Sequence, residues 1–126
     1  MEIATKRFPE NEELDDMIFA WKIAKHISSN GVVIAKDGAT LGIGLGEVNR
    51  FWAVQKAIER AGEKTWGAVL ASDGFFPFKD SIEALAQAGI SSVIQPGGSV
   101  RDSEVVKEAD LNKMAMVFTG IRHFRH

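Results

Sequence analysis

The sequence predicts an α/β protein: a three-layer α/β/α domain on a mixed sheet, in the order α-β-β-α-β-α-β-α-β. Three observations carry this reading. From Gly67 onward short buried runs alternate with helical patterns, as in parallel crossover units with helices on both faces of a sheet. Asp37-Gly38 lies between two apolar runs, a two-residue hairpin signal that makes the sheet mixed. The chain has 126 residues, enough for one domain with a real core and not for two. Residues 1–126 are therefore expected to form a single domain.

The elements follow in order. Met1 to Pro9 has no clear period and reads as a lead-in or strand remnant. Asn11 is positioned to cap a helix, with Glu12 and Glu13 favourably placed in its first turn. Leu14, Met17, Ile18, Trp21 and Ala24 follow at helical spacing, which predicts a helix to about Ile27. Asn30-Gly31 breaks it. Val32 to Ile34 is a short buried strand, and Thr40 to Leu45 returns from the Asp37-Gly38 turn. Gly42, Gly44 and Gly46 alternate along that return, leaving bare backbone that a helix or a ligand can approach. A helix from about Asn49 to Ala61 ends at Gly62, a suitable C-cap. Strands are then predicted at Gly67–Ala71, Ser92–Gln95 and Ala115–Phe118, and helices at Lys79–Ala88 and Arg101–Leu111.

Composition narrows the function. A net charge of −2 with no basic stripe argues against nucleic acid or a membrane surface as partner. No apolar run is long enough to span a bilayer, and Glu2, Lys6 and Arg7 interrupt any leader-like start. The expected location is the cytoplasm. Cysteine is absent, which removes disulfides, thiolate catalysis and zinc-thiolate sites. His26 lies far from His123 and His126 in the chain, too scattered to suggest a metal site.

The chemistry concentrates in three loops at the carboxyl ends of the predicted parallel strands, where such folds bind ligands. Ser72-Asp-Gly-Phe-Phe-Pro-Phe-Lys-Asp80 sets three rings around a proline with an acid near each end. The rings offer a wall for a planar ligand, and Asp73 and Asp80 can accept hydrogen bonds from it. One or two of Phe75, Phe76 and Phe78 are expected in the core. Pro96-Gly-Gly-Ser-Val-Arg101 leads into a helix and is either an anion site or simply a turn and cap. Thr119 to His126 carries two arginines, two histidines and a phenylalanine. It is either a fork for phosphate or a solvated tail.

With these loops in view, the chain resembles the C-terminal part of the AICAR transformylase/IMP cyclohydrolase family. The resemblance rests on Ala20-Trp-Lys-Ile-Ala-Lys-His26, Ala35-Lys-Asp-Gly38, Ala71-Ser-Asp-Gly-Phe-Phe-Pro-Phe78, Ile94-Gln-Pro-Gly-Gly-Ser99 and Met116-Val-Phe-Thr-Gly-Ile-Arg-His-Phe-Arg-His126. It implies a cytidine-deaminase-like fold, the second of the family's tandem, with the first fold and the cyclohydrolase domain absent. His126 is then the expected natural C-terminus. It further implies formyl transfer from 10-formyltetrahydrofolate to AICAR at a protomer interface. Asn30, Arg50, Phe75 and Arg122 correspond to AICAR-binding positions, with Arg122 on the phosphate. Phe51, Asp80, Ser99 and Val100 correspond to folate-side positions. The family's catalytic Lys-His pair belongs to the missing fold, so Lys25-His26 does not inherit that role and no catalytic residue is assigned. The expected partners are an AICAR-like nucleotide, a folate, and a second copy or a companion transformylase polypeptide. The alternative is a non-catalytic ligand-binding or self-associating module derived from that enzyme.

Overall fold

The computed structural model describes residues 1–120. The elements, in chain order, are β1 (Glu2–Ile3), α1 (Asn11–Ala24), β2 (Val32–Lys36), β3 (Ala39–Gly44), α2 (Arg50–Ala61), β4 (Val69–Ser72), α3 (Asp80–Gln87), β5 (Ser92–Gln95), α4 (Asp102–Leu111) and β6 (Ala115–Phe118). The strands form one six-stranded sheet in the order β1-β6-β5-β4-β2-β3. β4, β5 and β6 run parallel. β2 is antiparallel to both β3 and β4, so the hairpin makes the sheet mixed, as the Asp37-Gly38 signal predicts.

Period-2 alternation decides the layers. Val32, Ile34, Leu70, Val93 and Met116 face one side and pack with residues of α2, α3 and α4. Val33, Ala35, Val69, Ala71, Ile94 and Val117 face the other and pack with Met17, Ala20 and Ala24 of α1. One helix thus covers one face and three cover the other. Both sides of each central strand are buried, which is why these strands read as continuous apolar runs.

Several boundaries differ from the sequence expectation: β2 runs on to Lys36, and β4 is Val69–Ser72 rather than Gly67–Ala71. Of the two readings of the N-terminal segment, lead-in or strand remnant, the strand holds for two residues, with Glu2 opposite Phe118 and Ile3 opposite Val117. The cap of α1 is Glu10, not Asn11: the Glu10 backbone N–H donates to the Glu13 carboxylate at 2.8 Å. α1 ends at Ala24 rather than near Ile27.

The glycines of β3 resolve their own ambiguity. A Cβ on Gly44 would lie 2.0 Å from the Ala53 carbonyl oxygen, and one on Gly42 would lie 2.3 Å from that of Ala57. The bare backbone therefore serves α2, which lies directly on it. Gly46 has open space around it and φ +66°, so it serves a turn.

The N-terminal segment is fastened by Arg7. Its guanidinium donates to both Glu13 oxygens at 2.9 and 2.7 Å, to the Ser91 carbonyl at 2.8 Å and to the Lys113 carbonyl at 2.8 Å. Burial alone would raise the Glu13 pKa, but donors from Arg7, Ser92 and Glu10 outweigh it and hold the carboxyl at about 2, below its ordinary 4.5. A carboxylate depressed in the folded state stabilises above its unfolded pKa and stops doing so as pH falls through its folded one. Glu13→Gln should therefore lower stability by about 1–2 kcal/mol at neutral pH, after discounting for the partly solvated Arg7. The gap from the parent chain should close between pH 4.5 and about 2. Urea titrations across that range measure it; a gap independent of pH would contradict the assignment.

Candidate functional site

Two helix starts and one loop enclose a cavity of about 260 Å³, lined by Asn49, Arg50, Phe51, Pro77, Phe78, Asp80 and Ser81. α2 begins there because the Asn49 side chain accepts the Trp52 backbone N–H at 2.8 Å, a local cap. α3 begins there with Asp80, whose carboxylate accepts the Ser81 N–H at 2.8 Å. Its second carboxylate oxygen has no hydrogen-bond partner among the described residues. The three rings of the β4–α3 loop divide as the sequence suggests. Phe76 is fully buried in the core, Phe75 is half-buried, and Phe78 is 53% exposed at the cavity rim.

Asp73 corrects the sequence reading. The two acids of this loop were expected to serve a ligand together. Instead Asp73 is fully buried and forms an ion pair with Arg50. Its other oxygen accepts from the Ser29 hydroxyl at 2.8 Å. A carboxylate withdrawn from water needs its full complement of donors, and here the protein supplies them. Asp80 alone of the pair faces the cavity.

Arg50, assigned to substrate by resemblance, is only 6% exposed. It spends its guanidinium on Asp73 and on the Gly31 carbonyl, 3.2 Å away. Its Nε is buried without a hydrogen-bond partner among the described residues. The residue ties the start of α2 to the end of β4 and the entry to β2. Asn30, next to Gly31, donates both its backbone N–H (3.2 Å) and its side-chain amide (3.0 Å) to the Glu47 carbonyl. Asn30 is thereby held close to the Arg50 junction.

The β5–α4 loop takes the turn-and-cap form. Asp102 accepts the backbone N–H of Gly98 at 2.8 Å and of Ser99 at 3.1 Å. The amides that would greet an anion are thus filled by the protein's own carboxylate. The Ser99 hydroxyl accepts the Arg101 N–H at 3.1 Å, and Val100 is 99% exposed. Arg101 lies over the Phe78 ring, 5.3 Å from its centroid, and pairs with Glu104 at 3.1 Å. This contact links the start of α4 to the Phe78 side of the cavity. The third loop starts beside it, with Thr119 and Gly120 donating to the carbonyls of Gln95 (2.9 Å) and Pro96 (3.0 Å). Arg122 and the rest of the basic tail lie outside the described residues.

The structure therefore gathers Arg50, Phe51 and Asp80 around one cavity, with Asn30 behind Arg50; Ser99 and Val100 do not line it and are linked to it only through Arg101 on Phe78. Phe75 is on the same loop but does not line the cavity. Sequence reasoning did not single out Asn49, Pro77 or Ser81 as lining residues; Asn49 carried a helix-start signal only. Lys25 lies over the Trp21 ring at 4.5 Å, at the end of α1, while His26 beside it is exposed. Among the described residues no group of three His, Cys, Asp or Glu could hold a metal ion. No helix among them is long and apolar enough to cross a membrane.

Comparison with known proteins places this geometry. Among solved structures, the chain superposes on RibD from Acinetobacter baumannii with a TM-score of 0.61 at 20% identity, covering 81% of this chain and 32% of that one. It superposes on dCMP deaminase from cyanophage S-TIM5 with a TM-score of 0.57 at 18% identity, covering 89% and 100%. The fold is therefore cytidine-deaminase-like, as the resemblance implies. In sequence, the family model described as the AICARFT/IMPCHase bienzyme matches residues 1–60. The bifunctional purine biosynthesis protein PurH of Caldicellulosiruptor saccharolyticus is 58% identical over 125 residues, which is 99% of this chain and 24% of that protein. The Bacillus subtilis protein of the same name is 52% identical over 124 residues, 98% of this chain and 24% of that protein. The chain spans about a quarter of the length of these relatives. Along nearly its whole length, the chain is thus similar to one quarter of the bifunctional purine biosynthesis protein PurH.

Proposed function

We propose that this chain is a transformylase-type domain of purine biosynthesis, acting in the cytoplasm. It contributes binding residues for AICAR and 10-formyltetrahydrofolate to a composite site. The observation that carries this reading is the cavity shared by Phe51, Phe78 and Asp80, in a chain 58% identical to a PurH protein over 125 residues. Its rings suit a flat heterocycle, and the free oxygen of Asp80 suits that heterocycle's donor edge. Val100 and Ser99 border the same ligand. Asn30 and Phe75 face the nucleotide, and Arg122 takes its phosphate. Arg50 acts by holding Asn30 and Phe51 in place, because Asp73 already satisfies its charge. The folate supplies the formyl group; the residues assigned here bind and orient, and none is placed to move a proton. A missing acid–base pair costs about 10²–10⁴ in rate, so the chain alone should turn over negligibly. The partner that completes the site is a second copy or a companion polypeptide.

Calorimetric titration with AICAR and with folinic acid tests the reading. Asp80→Ala should weaken folinic acid about tenfold or more, the loss of a charge-assisted hydrogen bond, and spare AICAR. Arg122→Ala should do the reverse. Ordinary formylation of AICAR by the purified chain would overturn the composite-site account. A second reading, a non-catalytic self-associating module, draws on Arg50 being occupied by Asp73 and on Val48 and Trp52 being exposed. Absence of binding to either ligand would favour it.

A further inference from the structure

We infer that Arg60 is an edge guard, a side chain that keeps β3 from pairing with the β3 of a second copy. Among the described residues β3 ends the sheet, six residues long, Ala39–Gly44, with a neighbouring strand on one side only. Such a strand presents unpaired carbonyls and N–H groups that template another strand. The opposite edge, β1, has only two residues and offers little to pair with. β3 therefore carries the hazard.

Arg60 meets it from α2. Its Nη1 donates to the Ile43 carbonyl at 2.6 Å, and the side chain is exposed. The reach depends on the glycine seam. Because Gly42 and Gly44 let the backbone of α2 lie directly on β3, the last turn of the helix stands close enough for its arginine to bend over the strand. A guanidinium at this place removes an acceptor from the ladder and sets a cation against an identical cation on any approaching copy. Two such caps must be displaced for each pair of edges. The turn that starts the strand is tied down as well: Asp16 accepts the N–H groups of Asp37 and Gly38, each at 2.9 Å. Any self-association of the chain then uses another face.

The absence of cysteine makes the test clean. Thr40 is exposed at the edge, so Thr40→Cys introduces a single thiol for a pyrene label. Excimer emission should stay low in this variant as concentration rises. Adding Arg60→Met, which keeps the aliphatic stem and loses the donor, should raise the association constant about tenfold or more. Arg60→Lys, which keeps a donor and the charge, should restore the low signal. Equal excimer emission with and without Arg60→Met overturns the proposal. So does loss of folding in Arg60→Met, because an exposed cap cannot carry the fold.

Discussion

Asp73→Ala is expected to lower the unfolding free energy by about 3–5 kcal/mol, the usual consequence of removing one partner of a buried ion pair. Arg50 stays 6% exposed with the Gly31 carbonyl as its remaining acceptor. Its charge must then be dehydrated without compensation, and the Ser29 hydroxyl loses its acceptor too. A domain of this size has about 5–15 kcal/mol in total, so the variant should unfold at a much lower urea midpoint with an unchanged slope. The double variant Arg50→Met, Asp73→Ala should recover most of the loss, since it leaves no orphan charge. If the single and double variants proved equally unstable, the pair would be packing rather than electrostatics. Because the pair joins α2 to β4, Asp73→Ala should also weaken any ligand held at the α2–α3 cavity.

Gly44→Ala is expected to destabilise by about 3 kcal/mol or more, at the upper end for overpacking. The added methyl would stand 2.0 Å from the Ala53 oxygen and 2.8 Å from its carbonyl carbon. Both belong to backbone that no rotamer change can move aside, so α2 must lift from the sheet. Gly38→Ala is the control. It has φ +74° and open space, so only the dihedral penalty of about 1–2 kcal/mol applies. Thermal melts of the two variants compare crowding with backbone strain. Similar losses would contradict the close approach of α2.

These two sites mark the boundary of what a sequence discloses. The strands were legible because Val32–Ile34, Val69–Ala71 and Val93–Ile94 are buried on both faces and contain little that is polar. α1 was legible because Leu14, Met17, Trp21 and Ala24 recur at helical spacing and pack in one cluster. β1 was legible only as a lead-in or strand remnant: two residues carry no period, and their pairing depends on β6 more than a hundred positions away. The candidate site was half legible. The composition of the 72–80 loop reads as a wall for a planar ligand, and Phe78 and Asp80 of that loop line the α2–α3 cavity. Asp73 in that same loop reads alike in one dimension, yet folding hands it to Arg50, 23 positions distant. Nothing local distinguishes an acid that faces a cavity from one claimed by its own chain. The alternating glycines showed that something comes near, but only the packed structure says that it is α2.

The pairing of β1 with β6 has a consequence for how the protein is made. Ile3 leaves the ribosome long before Val117, its partner across the sheet. Arg7 likewise waits for Ser91 and Lys113. Residues 2–3 therefore stay unpaired during synthesis until β6 has emerged, so the sheet closes on that side only late.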